Sequence, residues 1–553
     1  MEIAGEELQT QAMDHHGLIA ALCQELKIGE RVDGALGEPD ERRVVSAGTA
    51  VVAMILNGLG FTNRRLYLTH QFFANKPVEK LLGPGLTAEA ITDHTLGQAL
   101  DEIAEYGSSE LFAEVAFEIA LSEGLLHHHA HLDTTSFSVH GQYEADDETQ
   151  TIEITHGYSK DHRPDLKQAV LSMVVNGPSA MPLWMEALDG NSSDKVSFHQ
   201  TIARVEQFRR QLDVESPFKW IADSALYSKD KLLKSNDYEW VTRVPETIQS
   251  AKALVQKPEA EIAWSESEKG YWLSSFESRY GDVEQRWLLV YSEQAYAREK
   301  ATLEKKLAKY DEQLKKALWH LGNQVFGCET DAEKALKPIE KKYPLFVIEA
   351  TVEPIEKHAR RGRPTPGAEK VISGYRIISD YRGDESALER RLSSKGRFIL
   401  ATNTLDRQAY TDEQMLADYK DQQRVERGFR FLKDPWFMVD SIFLKSPRRI
   451  EALMMVMTLC LLVYNLGQYR LRETLKAENE TLPNQLKKPV QNPTMRWIFQ
   501  LMEGISIVRM IIDESQGLVK EMMTGFSALR QKIARLFGDT ACRIYGLIPE
   551  NPV

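Results

Sequence analysis

At 553 residues the chain is too long for one ordinary core, so three or four structural units are expected. Apolar content of 42% and charged content of 27% are those of a soluble globular protein. Its four cysteines lie far apart without CxxC spacing, which excludes a disulfide framework and a structural zinc site and fits a reducing compartment. The first residues have no basic and apolar succession of the secretory kind. A net charge of −13 disfavours a polyanionic partner at first sight, but the distribution of that charge removes the objection. Residues 1–125 hold 20 acidic against 8 basic side chains, which leaves the other 428 residues at −1. The stretch 419–472 is locally basic, with 10 Lys and Arg against 5 Asp and Glu.

Residues 1–125 predict a helical N-terminal domain. VVSAGTAVVAMILNGLG, TLGQALDEIAEY and ELFAEVAFEIALSEGLL repeat apolar residues at three and four, broken by Gly and Pro. Arg42, Arg43, Arg64 and Arg65 can face phosphates there, or be solvated charges around a helical core. From about 126 to 245 the pattern turns to strands: HLDTTSFSV, TIEITHGYS, QAVLSMVVNG and MPLWMEALDG. An amphipathic helix, KVSFHQTIARVEQFRRQL, precedes the strands FKWIADSAL and EWVTRVP. Strands, a helix, then a strand ending in Asp223 predict a mixed α/β sheet with ligands at the carboxyl ends of strands.

An insertion is expected over 246–395, with a hairpin in 264–292 and a charged amphipathic helix in 293–342 that carries Leu303, Leu307, Tyr310, Leu314 and Leu321. RFILATN returns as a core strand and opens the second part of the core, 396–472. The uncharged run 452–467 has 16 residues, short of the roughly 20 that span a bilayer, and is read as a buried core helix rather than a membrane segment. Residues 473–553 are expected to be a helical C-terminal region.

Three carboxylates organise the chemistry. Asp133 in HLDTTSFSVHG and Asp223 in FKWIADSALYS sit in β-type runs, where a lone buried charge is costly unless paired or metal-bound. Glu426 sits on the basic helical stretch YKDQQRVERGFRFLKD. Tyr419, Glu426 and Lys433 are seven apart and so line one helical face, with Gln422 and Arg430 at i−4 and i+4 from the glutamate. Two strand-borne aspartates and a helix-borne glutamate can converge as hard oxygen ligands for Mg²⁺. A metal pair about 3.5–4 Å apart clamps the attacking and leaving oxygens of a phosphodiester. The residues therefore point to an enzyme that cuts and rejoins DNA. HGYSKDHRPDLKQ, with His156, Ser159, Lys160, His162 and Arg163, precedes a strand and is expected to support the site or touch DNA. His127, His128, His129 and His131 alternate faces on an extended chain, which speaks against a soft-metal site. Arg361 and Arg363 flank Gly362 in KHARRGRPTPG, a short match to an A·T minor-groove hook; a solvated loop is the alternative.

This set resembles the bacterial DDE insertion-sequence transposases of the superfamily with a Tyr-x2-Arg-x3-Glu-x6-Lys signature. Tyr419, Gln422, Glu426 and Lys433 keep its intervals, with Gln in place of Arg. That departure bears on a phosphate contact, for which Arg424, Arg427 or Arg430 is a substitute. HGYSKDHRPDLKQ, GNSSDK (190–195) and the TRVP after Asp223 resemble the same branch, so the likeness spans nearly the whole chain. The resemblance implies an RNase H-like catalytic core with Asp133 on the first strand, Asp223 at the fourth and Glu426 on a following helix. It also implies an insertion domain largely of strands, to which 293–342 adds helix. It further implies two Mg²⁺ ions (Mn²⁺ as a substitute) held by Asp133, Asp223 and Glu426. Tyr419, Gln422, Arg424, Arg430 and Lys433 are expected at DNA phosphates, with Arg361 and Arg363 also on DNA. The partners expected are double-stranded DNA at terminal inverted repeats and at a target, and a second copy of the chain once DNA is bound. The setting expected is the bacterial cytoplasm at the nucleoid. Two rivals are an RNase H-like nuclease without strand transfer and a catalytically silent DNA-binding regulator.

Overall fold

The computed structural model describes residues 8–37, 43–61, 68–141, 143, 152–212, 214, 217–232, 237–358, 370–434, 437, 444–513 and 518–549. The chain divides into two compact units, one of residues 1–242 with 417–553 and the other of residues 243–416.

In the first unit five strands lie side by side in a mixed sheet: β1 (His129–Val139), β2 (Lys167–Asn176), β3 (Met181–Leu188), β4 (Lys219–Ala222) and β5 (Trp240–Arg243). Their order is β3-β2-β1-β4-β5. β2 lies antiparallel to β1 and β3, whereas β4 runs parallel to β1 and β5. Almost every side chain of β2 and β3 is buried, which is why QAVLSMVVN and MPLWMEAL read as continuous apolar runs rather than alternations. Helix α1 (Asp194–Gln211) crosses from β3 to β4 and packs on β1 and β2. Helix α2 (Gln423–Leu432) also packs on β1 and β2.

Helix α3 (Pro447–Ala477) starts with proline, whose missing N–H costs nothing in the first turn. It packs on β3 and on the helices Ala47–Leu59, Asp93–Tyr106 and Ser108–Ser122. Every residue from Ala452 to Val463 is buried, so the apolar run 452–467 is the centre of a core helix. Among the described residues α3 is the one helix long and apolar enough to cross a membrane, and 83% of its apolar window is covered by the protein itself.

Two local expectations are corrected in this unit. TIEITHGYS forms no strand and makes only an isolated bridge, Thr155 with Gln168. β1 covers one edge of β2 throughout, and β3 covers the other from Val170 onward, so only the start of β2 has a free edge. The C-terminal region is not all helix: Ser506–Asp513 and Leu518–Thr524 form a hairpin that Leu8–Ala12 joins as a third strand. ISIVRMII is rich in β-branched residues, and one of its two partners lies at the other end of the chain, beyond the reach of a local reading.

In the second unit Tyr271–Tyr280 and Val283–Ser292 pair across Gly281 and Asp282, both at φ near +60°. That is the two-residue turn a tight hairpin prefers. The strand Arg397–Thr402 pairs antiparallel with Val283–Ser292, and RFILATN is a strand as expected. Helices Glu293–Gly322 and Glu329–Lys342 follow, then a long ribbon of Phe346–His358 with Lys370–Gly383. Leu314, Leu318, Leu321, Phe326, Ala332, Tyr343 and Ile377 make a separate core where these helices meet the ribbon. The expected mixture of strand and helix in the insertion is thus present. Arg361 and Arg363 lie outside the described residues, as do Arg42, Arg64 and Arg65.

Candidate active site

Parallel register sets the centre of the site. Leu132 of β1 pairs with Ala222 of β4, so Asp133 and Asp223 are the next residues along two neighbouring parallel strands. Both carboxylates are half-buried. Asp133 Oδ1 accepts the Thr134 N–H at 2.7 Å, and Asp223 Oδ1 accepts the Ala225 N–H at 2.8 Å. Burial pushes Asp133 up to about 7, and the negative charges of Asp223 and Asp194 add to that, against the pull of Lys160 and the Thr134 N–H. Asp223 is raised as well, chiefly by burial and then by Asp194. Two neighbouring carboxylates are hard oxygen donors of the kind that divalent cations take.

The opposite face of β1 carries a brace. Lys160 Nζ donates to Thr134 O at 2.7 Å, to Thr134 Oγ1 at 2.8 Å and to Asp194 Oδ2 at 3.2 Å. The Thr134 hydroxyl in turn donates to Asp194 Oδ1 at 2.6 Å, at the start of α1. The Lys160 N–H also donates to Ser136 Oγ at 3.1 Å. Gln168 Nε2 holds the two loops together, donating to Tyr158 O at 3.2 Å and Gly190 O at 2.7 Å. Close backbone approach explains the glycines of both segments. A Cβ on Gly157 would lie 2.0 Å from Gly190 O, and one on Gly190 would lie 2.1 Å from Gln168 O. Sequence reading places Lys160 near the site but does not single out Asp194. The only signal for Asp194 is its position in GNSSDK, one of the segments that carry the resemblance.

Helix α2 buries Val425, Gly428, Phe429 and Leu432 and leaves Glu426 exposed. A Cβ on Gly428 would meet Met173 Cε at 3.1 Å, and Met173 is paired with Asp133 across the sheet. The helix therefore lies on the face of β1 from which Asp133 projects. Arg424 near its start donates to Gly177 O at 3.0 Å, beyond the end of β2, and Lys433 at its end sits 5.6 Å from the centre of the Phe137 ring. Glu426 lies between them along the helix, on the same side as Lys433. Among the described residues, however, no three Asp, Glu, His or Cys side chains come together as a metal-holding group. The expected convergence is thus seen for the two aspartates as strand neighbours and is not completed by Glu426. The apolar stripe sets the rotation of α2, and that rotation turns Glu426 to the helix flank.

The remaining sites differ in how free they are. Tyr419 ends a separate helix, Asp412–Asp421, because the chain tightens at Gln422, where Val425 N–H bonds to Gln422 O three residues back. The single helical face expected for Tyr419, Glu426 and Lys433 is therefore interrupted. Gln422, the residue at the signature's arginine position, is only 8% exposed. Arg424 is tied to Gly177 O and to Asp421 at 2.9 Å, whereas Arg427 and Arg430 are exposed. Lys433 is held by both oxygens of Asp161, at 2.7 and 2.8 Å, and burial lowers its pKa while Asp161 opposes the shift. His129 lies 3.3 Å from Asp418, and His131 is buried and pushed down to about 3, so it stays neutral.

A mixed sheet of this order, with an aspartate in the first strand and another just after the fourth, is consistent with an RNase H-like transposase core. The model of the family described as "Transposase DDE domain" matches residues 127–466, more than half of the chain, and the protein belongs to that family. Residues 8–117 match a second family, described as a domain of unknown function (DUF4277). Among solved structures, the cryo-EM structure of the piggyBac transposase synaptic complex with hairpin DNA is similar at 9% identity and a TM-score of 0.37. The match covers 88% of this chain and 80% of that one. No curated protein matches.

Proposed function

We propose that this protein cleaves DNA at the ends of its own insertion sequence and joins the freed 3′-OH to target DNA. The single observation that carries the reading is the register of Asp133 and Asp223 on neighbouring parallel strands, both with raised pKa. Those two carboxylates fit a divalent cation, and Glu426, alongside β1 on the same face, is the third ligand proposed. Bound there, Mg²⁺ supplies Lewis acidity to the oxygens of a phosphodiester and activates the attacking water or 3′-OH.

The chain's own residues do the rest. Asp133 and Asp223 present oxygen donors from rigid strands, which keeps the site in shape as charge develops. Arg430 and Arg427, exposed on α2, are placed to hold the flanking phosphates that orient the scissile bond. Lys433 joins them once a phosphate replaces Asp161 as its partner. Double-stranded DNA is the substrate, two copies of the chain bring two ends together, and the bacterial nucleoid is the proposed setting.

Transposition in cells tests the reading, using a marked element bounded by the repeats that flank the gene. Asp133→Ala is expected to abolish transposition while DNA binding is retained. Undiminished transposition overturns the proposal. Failure of wild-type protein to join a pre-cleaved end to target DNA would leave a nuclease without strand transfer.

A further inference from the structure

The carboxylate pair depends on what holds β1 in place next to β4. Asp133 and Thr134 project from opposite faces of β1, and the polar groups around Thr134 converge on one cation. Lys160 Nζ reaches the carbonyl and hydroxyl of Thr134 and a carboxylate oxygen of Asp194, and the hydroxyl closes the triangle. Lys160 and Asp194 are each about a third exposed or less, at 34% and 28%, and Thr134 is buried at 2%. An exposed ion pair contributes little to stability. This one is anchored at both ends, because its loop is pinned to β1 through Ser136 and to the Gly190 turn through Gln168. The residue clamped by Lys160, Thr134, directly follows Asp133, and its own N–H, one peptide unit before the clamped carbonyl, donates to Asp133 Oδ1.

We infer that Lys160 and Asp194 are a positioning pair that aims Asp133 at Asp223 through Thr134 and so sets the affinity of the site for a divalent cation. This rests on the proposed metal role of the Asp133–Asp223 pair. Lys160 acts as a donor to Thr134 and Asp194 rather than as a ligand, and Asp194 is engaged by Thr134 and Lys160 on the far side of β1. Outer groups that orient a ligand typically change metal affinity ten- to a hundredfold when removed.

The test is Mn²⁺ alone, titrated calorimetrically into the full chain without DNA. Lys160→Met and Asp194→Asn are each expected to weaken Mn²⁺ binding at least about tenfold, and the double variant no more than the worse single, because the two act as one unit. Lys160→Arg is expected to restore most of the loss. A brace that serves stability alone would shift the melting temperature and leave Mn²⁺ affinity within twofold of wild type. That result overturns the inference, and so do losses that multiply in the double variant. Should either single variant fail to fold, Thr134→Ser against Thr134→Val carries the same test, since only valine severs the hydroxyl link. Asp133→Asn should abolish binding. If it binds Mn²⁺ as wild type does, or if wild type binds none, the metal reading of the aspartate pair fails and the brace falls with it.

Discussion

Replacing Asp133 by asparagine should make the metal-free protein more stable at neutral and alkaline pH, which is unusual for a proposed catalytic residue. The carboxyl rises from 3.8 in the unfolded chain to about 7 in the fold, mainly through burial. A raised acid favours the folded state fully below its unfolded pKa and loses that advantage as pH climbs through the folded value. The window is therefore about pH 4 to 7. Three pKa units at 1.36 kcal/mol each give about 4 kcal/mol by pH 8, an upper bound because water entering the site relieves part of it. Asparagine keeps an oxygen for the Thr134 N–H and removes the charge that Asp223 and Asp194 repel. Urea unfolding followed through the buried Trp220 and Trp240 should show Asp133→Asn close to wild type at about pH 3.5 and ahead by up to about 1 M in midpoint at about pH 8. Millimolar Mg²⁺ or Mn²⁺ should raise the wild-type midpoint and not the variant's. Parallel curves for the two proteins across the whole pH range would refute the argument, because they would mean that Asp133 ionises in the fold as easily as in water.

Gly190→Ala places a methyl 2.1 Å from Gln168 O, where backbone on both sides cannot yield, and is expected to cost about 1–3 kcal/mol and most cleavage activity. A thermal melt and a cleavage assay read the two effects. Leu461→Ala opens a cavity under α2, since Leu461 is 1% exposed and touches Gly428, and should cost about 2–5 kcal/mol in chemical denaturation. Asp161→Asn frees Lys433 for phosphate, so DNA affinity should rise severalfold at low salt, with a salt dependence steeper by about one counterion. Unchanged affinity would remove Lys433 from the DNA contacts.

Much of the catalytic core is legible in the sequence because its signals are local. Continuous apolar runs and a 3.6-residue period announce β2, β3 and α1 close to their observed bounds, and the two aspartates stand out as charges inside β-type segments. The uncharged run 452–467 is short for a membrane span, but the whole helix is long enough for one, so its burial inside the protein is what marks it as a core helix. TIEITHGYS misleads because strand propensity does not say whether a sheet edge is vacant, and β2 has almost none to spare. The hairpin at 506–524 escapes for the same kind of reason, since its third strand comes from residues 8–12.

The spacing of residue types by itself singled out the side chains proposed to carry the chemistry: Asp133, Asp223, Glu426 and the basic residues around the glutamate. Only the tertiary structure decided which of them are free to act. Arg424 spends its guanidinium on a backbone carbonyl 247 residues away, Lys433 on Asp161, and Gln422 is buried, while Arg427 and Arg430 stay exposed. The physical reason is that a hydrogen-bond partner is chosen by distance in space. Lys160, Thr134 and Asp194 are separated by 26 and 34 residues along the chain and by one hydrogen bond in the fold.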